Sequence, residues 1–187
     1  MKTVAIIYGW AEGRWQSKRF VKTLIKNGFE ITDNIQKANV IFAHSSGCYL
    51  VPVGTKAELI VLVGLPFWPG RSLASSIVRK LVMEIKYHRR HKGFGWWLNK
   101  MSHNSWYIIT RPQATYYGIT RHKVGNLPSG QNTKVLLVRP SDDTTHHPEA
   151  TKKLEPAKNY KYIELPGAHD DCWMEPKPYV DLLLKEL

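Results

Sequence analysis

Short apolar runs recur along the chain, and they are continuous rather than alternating. They fall at residues 3–8, 39–43, 59–64, 134–139 and 161–165, and LIVLV in the third is the plainest. A strand with one wet face alternates apolar and polar side chains. A run that is apolar at successive positions suits a strand buried on both faces, as in a parallel sheet covered by helices. The intervening segments fit that frame. Residues 14–27 carry Trp15, Phe20, Val21, Leu24 and Ile25 at helical spacing, with Gly28 as a stop signal. Residues 30–32 allow a short extra strand. Residues 176–187 read as a closing helix with Tyr179, Leu182, Leu183 and Leu187 on its inner side. Strands alternating with helices predict an α/β fold: a mostly parallel sheet, helices on both faces, and right-handed crossovers.

The bulk numbers agree with one domain over residues 1–187. A chain of 187 residues with 43% hydrophobic and 22% charged side chains is long enough to bury a core unaided. MKTVAIIYGW is too short an apolar run for a secretory leader and reads as a first strand. No run approaches the roughly 20 apolar residues that span a bilayer. Two cysteines, Cys48 and Cys172, give neither a disulfide framework nor a cysteine zinc pattern, so a reduced, cytoplasmic setting is expected.

Residues 67–130 break the alternation of strand and helix and read as an inserted helical cap. Residues 71–90 place Leu73, Ile77, Val78, Leu81, Val82 and Ile85 on one helical stripe, followed by GFGWWLNKM and two aromatic segments. The basicity is concentrated there. The chain has 27 basic against 15 acidic side chains, and residues 66–125 hold eleven of the basic ones against the single acid Glu84.

The motif AHSSG, residues 43–47, lies at the end of the second run. A nucleophile on a sharp strand-to-helix turn needs small residues two before and two after it, because the backbone is strained and packs closely. Ser45 has Ala43 and Gly47 at those positions, whereas Ser46 has His44 and Cys48. A serine needs a base and the base an orienting acid. KVLLVRPSDD is a run ending in Asp142 and Asp143, and YIELPGAHDDCW one ending in a turn with His169. The pieces follow the order serine, acid, histidine, all at predicted strand C-termini, where open α/β sheets build their sites.

With these residues in hand, VAIIYGW, IFAHSSGCYL, KVLLVRPSDD and YIELPGAHDDCWMEP resemble the first strand, elbow, acid loop and histidine loop of the α/β-hydrolase fold superfamily. The HSSG variant is similar to the small serine hydrolases related to retinoblastoma-binding protein. The resemblance covers residues 1–66 and 133–187 and leaves out the middle. It implies that Ser45 attacks an acyl carbon, that His169 shuttles the proton and that Asp143, second of its acidic pair, fixes the imidazole. It implies an oxyanion hole from the backbone N–H groups of Trp10 and Ser46. The reaction expected is carboxylic ester hydrolysis on a small-molecule acyl ester, with thioester or amide as further options and no cofactor or metal. The competing expectation is a non-catalytic binding module on the same scaffold.

Other residues receive plainer readings. His146 and His147 lack a third metal ligand at useful spacing beside Asp142 and read as exposed loop histidines. His44 is expected to hydrogen-bond locally, Cys48 and Cys172 to be packing thiols, and Asp170 and Asp171 to be loop acids. Trp10, Trp68 and Trp173 are candidates for an acyl pocket, with core packing an equal account of each. The basic cap reads as a lid favouring an anionic substrate, as an anchor on an anionic membrane, or as solvated charge on a packed helix. Nucleic acid ranks last, since no recognised binding module accompanies the cations.

Overall fold

A computed structural model of the chain describes residues 1–66, 82, 93–120, 127–128, 133–143, 148–154 and 160–187. Strands β1 (Lys2–Ile7), β2 (Phe29–Ile31), β3 (Val40–His44), β4 (Leu59–Val63), β5 (Lys134–Pro140) and β6 (Lys161–Leu165) form one sheet. Its order is β2-β1-β3-β4-β5-β6, and every pairing is parallel. Helices α1 (Lys18–Lys26), α2 (Phe94–Thr110), α3 (Pro112–Thr120), α4 (Pro148–Lys152), α5 (Asp171–Met174) and α6 (Lys177–Glu186) connect or follow the strands.

The continuous apolar runs have the expected cause. Neighbouring residues of a strand face opposite sides of the sheet, and both sides are dry. All five residues of β3 and all five of β4 are buried. Val4, Phe42 and Val61 pack with Phe20 and Leu24 of α1 and Tyr179 and Leu183 of α6. Ala5, Ile41 and Leu62 face the other way, against Tyr49, Leu127, Leu154 and Tyr160. The predicted α/β class and mostly parallel sheet are therefore found.

Helix boundaries differ from the sequence reading at two places, the start of α1 and the end of α6. α1 begins at Lys18, not at residue 14, because residues 13–16 turn and Ser17 is fully buried with its hydroxyl 2.7 Å from that of Tyr8. Ile25 lies about 100° around the helix from the buried Leu24 and is exposed. After Ser45 the chain makes only a short 3-10 turn (Ser45–Leu50), which Pro52 keeps from lengthening. Leu187, expected inside, lies past the end of α6 and is exposed.

Within residues 67–130, α2 and α3 are helices. The stripe proposed for residues 71–90 lies outside the described residues except for Val82, which is helical and exposed. Trp68, His146 and His147 also lie outside them. Among the described residues, no helix is long and apolar enough to cross a membrane.

Candidate active site

The order of strands reverses between β1 and β3, the neighbours at which the chain first switches direction across the sheet. Loops leaving the carboxyl ends of two such strands diverge and leave a crevice. Ser45 stands at that point. Its φ is 54°, in the left-handed region that a side chain rarely occupies. Gly47 makes the turn feasible: a Cβ there would sit 2.6 Å from the carbonyl oxygen of Tyr8 and 2.7 Å from that of Ile7. This is the close packing that the small residue two places on was read to require.

Two other strand ends deliver the partners of Ser45. The β5 loop is tied to the β6 loop by backbone bonds from Ser141 N–H to Leu165 O (2.8 Å) and from Asp142 N–H to Gly167 O (2.9 Å). Asp142 then faces solvent, while Asp143 is 2% exposed and turns inward. Asp143 Oδ2 lies 2.7 Å from His169 Nδ1, and His169 Nε2 lies 3.0 Å from Ser45 Oγ. A carboxylate can only accept, so Nδ1 carries the proton and Nε2 is left to accept from the serine hydroxyl. Sequence reasoning missed Gly64, which follows β4 with φ +59°. A Cβ there would meet His169 Nδ1 at 2.9 Å and Asp143 Oδ2 at 3.2 Å, so its missing side chain is the space the imidazole–carboxylate pair fills. The glycine closing LIVLVG was its only signal.

The turn after β1 faces Ser45 from the opposite side. Trp10 and Ser46, expected to offer free amides, are instead linked: Trp10 N–H donates to Ser46 Oγ at 2.6 Å. The Trp10 ring meets Tyr107 of α2 edge-on with centroids 6.1 Å apart, and Trp15 Nε1–H donates to His103 of the same helix at 3.2 Å. α2 is thus seated directly on this turn.

Three expectations need correcting. Trp173 is not a pocket wall: it is 1% exposed, with its ring among Phe20, Phe42, Tyr8 and His44. α5 follows the histidine turn and drops the indole onto the sheet face that α1 covers. His44 does not bond locally. Its Nδ1 lies 2.6 Å from Glu12 Oε1 and its Nε2 2.7 Å from the carbonyl oxygen of His169. Asp170 and Asp171 are not loop acids in water, since both are buried. Asp170 forms an ion pair with Lys100 of α2, and Asp171 accepts from Ala168 N–H at 2.8 Å.

Burial sets the electrostatics. It pushes the Cys172 thiol up to about 11, against the pull of His44, and raises Cys48 further still. Both stay protonated thiols, as packing residues would. Burial by itself would strip the proton from His44. Cys172 and Glu12 outweigh it, so His44 stands well above the usual histidine range. Ligand atoms of Glu12, His44, His169 and Asp170 lie within 4.8 Å of one another. Those groups are engaged with each other, with Asp143 and with Lys100, which makes the cluster a hydrogen-bond network. A hollow of about 530 Å³ opens elsewhere, beside α1, lined by Tyr8, Arg14, Lys18, Lys22 and Asp33 among others.

No protein-family model matches the chain, nor does any curated protein sequence. Solved structures do. An enol-lactonase from Burkholderia xenovorans is similar with a TM-score of 0.69 at 11% identity, over 99% of this chain and 90% of that one. A hydrolase from Oleispira antarctica gives 0.67 at 12% identity, over 99% and 90%. A thioesterase from the prodiginine biosynthetic pathway of Streptomyces coelicolor gives 0.64 at 10% identity, over 100% and 90%. With its parallel sheet, the turn at Ser45 and the loops after β5 and β6 in these places, the chain has the α/β-hydrolase fold.

Proposed function

We propose that the protein is a serine hydrolase that cleaves a carboxylic ester, or a thioester or amide, through an acyl-enzyme at Ser45. The observation that carries this reading is the chain of contacts from Ser45 Oγ through His169 to Asp143, with the serine held at φ 54°. Ser45 Oγ bonds to the acyl carbon as its proton passes to His169 Nε2, and Asp143 stabilises the imidazolium that forms. The carbonyl oxygen becomes an oxyanion received by the backbone N–H groups of Ser46 and Trp10. For that, the Ser46 hydroxyl must turn away from the Trp10 N–H it now occupies. The imidazolium gives its proton to the leaving group. Water then attacks the acyl carbon, losing a proton to His169, and the acid departs as Ser45 regains its hydrogen. Every step uses only groups of the chain and water.

The similar folds include a thioesterase and an enol-lactonase, which sets the breadth of the trial panel. Short p-nitrophenyl esters, acyl thioesters and lactones are offered to the native protein and to Ser45→Ala. Turnover of at least one class, lowered by about 10³-fold or more in the variant, supports the reading. Turnover that persists in Ser45→Ala contradicts it.

A second reading concerns where the substrate is met. The outer surface of α2 exposes Trp106 at 67% and Ile109 at 73%, beside Leu98 and Phe94. Together with the basicity of the insertion, this favours an anionic lipid surface as the docking place of the cap. Co-sedimentation with anionic but not neutral vesicles, weakened by salt, is the expected result. Equal partition to both contradicts it.

A further inference from the structure

Behind Ser45 lies a second histidine–carboxylate pair that makes no contact with the serine oxygen. His44 is fully buried, and the Glu12 side chain is 7% exposed. Both ring nitrogens of His44 face acceptors: the Glu12 carboxylate at 2.6 Å and the His169 carbonyl oxygen at 2.7 Å. A neutral imidazole has one N–H and one lone pair, so on its own it satisfies only one of them. Two protons must therefore be present, one donated from Nε2 to the His169 carbonyl and one shared between Nδ1 and Glu12. The other oxygen of Glu12 accepts from Gly9 N–H at 2.7 Å, in the turn that presents Trp10 N–H to Ser46. That turn is held in an unusual shape, with Ala11 at φ 57°.

We propose that Glu12 and His44 are positioning residues that clamp the β1 turn and the His169 backbone to the strand carrying Ser45, through a proton retained between them. The proposal rests on the serine-hydrolase reading, since what it positions is that reading's base and oxyanion amide. His44 sits immediately before Ser45 on β3, Glu12 belongs to the turn whose Trp10 amide faces the serine, and the third contact falls on the main chain of the base itself. Three segments far apart in sequence are thus gathered on one imidazole. The rings of His44 and His169 stand 4.6 Å apart, and Trp173 closes the far side of His44 at 5.0 Å. The His44 side chain has no exposed surface through which water could replace a lost contact.

The shared proton gives the clamp a pH dependence. Among the described residues, the titratable and charged groups around it are Glu12 from the β1 turn, Cys172 from α5, and His169 and Asp170 from the β6 loop. Asp170 is itself paired with Lys100 of α2, and Cys48 lies below on the turn after Ser45. Glu12 brings a full negative charge to 2.6 Å, while Cys172 keeps its proton below about 11 and offers only lone pairs. Loss of the shared proton sets the lone pair of Nδ1 against the carboxylate and opens the clamp.

The test measures the rate at which a fluorophosphonate modifies Ser45, against pH, in the native protein, Glu12→Ala and Glu12→Gln. A glutamine keeps each contact with one proton fewer: its N–H donates to a neutral Nδ1 and its oxygen still accepts from Gly9. At neutral pH, Glu12→Ala is expected to react about 10- to 100-fold more slowly, and Glu12→Gln within about threefold of native, as befits a displacement of the base by a fraction of an ångström. The native rate falls at high pH as the clamp opens, and Glu12→Gln lacks that fall. Glu12→Gln retains its hydrogen bonds and folds even where Glu12→Ala does not, so its pH profile alone decides. Native-like rates in Glu12→Ala, or a high-pH fall retained in Glu12→Gln, overturn the clamp alone. Absence of any modification of Ser45 in the native protein overturns the hydrolase reading and the clamp with it.

Discussion

Lys100 of α2 and Asp170, the residue after His169, form an ion pair that leaves their side chains only 4% and 3% exposed. α2 is therefore fastened to the loop that carries the histidine, with the Lys100 ammonium also 5.3 Å from the centre of the Trp96 ring. Removing one partner strands the other charge in a dry site, a loss of about 3–5 kcal/mol. Lys100→Ala is expected to destabilise by that amount in urea unfolding. Replacing both, as Lys100→Met with Asp170→Leu, restores most of the stability, since two apolar side chains need no partner. A double variant as unstable as the single one contradicts the assignment.

Ser45 separates activity from stability. Its left-handed backbone costs about 1–3 kcal/mol for a residue with a Cβ, and glycine escapes that strain. Ser45→Gly is expected to unfold at higher urea than the native protein, by about 1 kcal/mol net of the greater chain entropy of glycine. Ser45→Ala keeps the strain and should unfold close to native. Both lose turnover. Equal midpoints for the two variants would count against strain at this position.

The two acids of the β5 loop have unequal roles in this account. Asp143 fixes the protonated Nδ1 of His169, and Asp142 faces solvent. Asp143→Asn presents an N–H where an acceptor is needed and forces the other tautomer, for an expected loss of about 10⁴-fold in kcat. Asp142→Asn should change kcat by less than about twofold, as an exposed substitution away from the site. Steady-state kinetics on whichever ester proves active compares them directly.

Stability should fall with rising pH above the ordinary histidine range. His44 keeps its proton in the folded chain to well above the value it has unfolded, so the stabilisation is complete below about pH 6.5. Above that the unfolded chain holds fewer protons than the folded one, and unfolding becomes easier with each step in pH until His44 titrates in the fold. Cys172, raised to about 11, adds a fall of the same sign once free thiols begin to ionise. Glu12→Gln removes the carboxylate that holds the proton, and its unfolding free energy should vary less between pH 6.5 and 8.5. Urea titrations at fixed pH steps measure both slopes, and parallel slopes contradict the shared proton.

Much of this molecule was legible in its sequence, for identifiable reasons. The runs 39–43 and 59–64 mark β3 and β4 because a strand dry on both faces leaves no polar position to blur the signal. Ser45 could be told from Ser46 because the Cβ that Gly47 lacks would strike the backbone of β1. What stayed hidden depends on contacts between distant residues. Nothing near Glu12 announces that His44 receives it, and nothing near Asp170 announces Lys100, 70 positions away. Trp173 misled because an indole beside a reactive loop looks the same in sequence whether it lines a pocket or fills a core. Ile25 misled because it directly follows Leu24 and so points about 100° away from the face that buries Phe20 and Leu24.

The central claim, that Ser45 is a nucleophile activated by His169, is tested most directly by mapping a fluorophosphonate adduct with peptide mass spectrometry. The account predicts a single stoichiometric adduct on Ser45 in the folded protein, lost in urea and strongly slowed in His169→Ala. No adduct in folded protein, or one that forms on Ser46 instead, contradicts it.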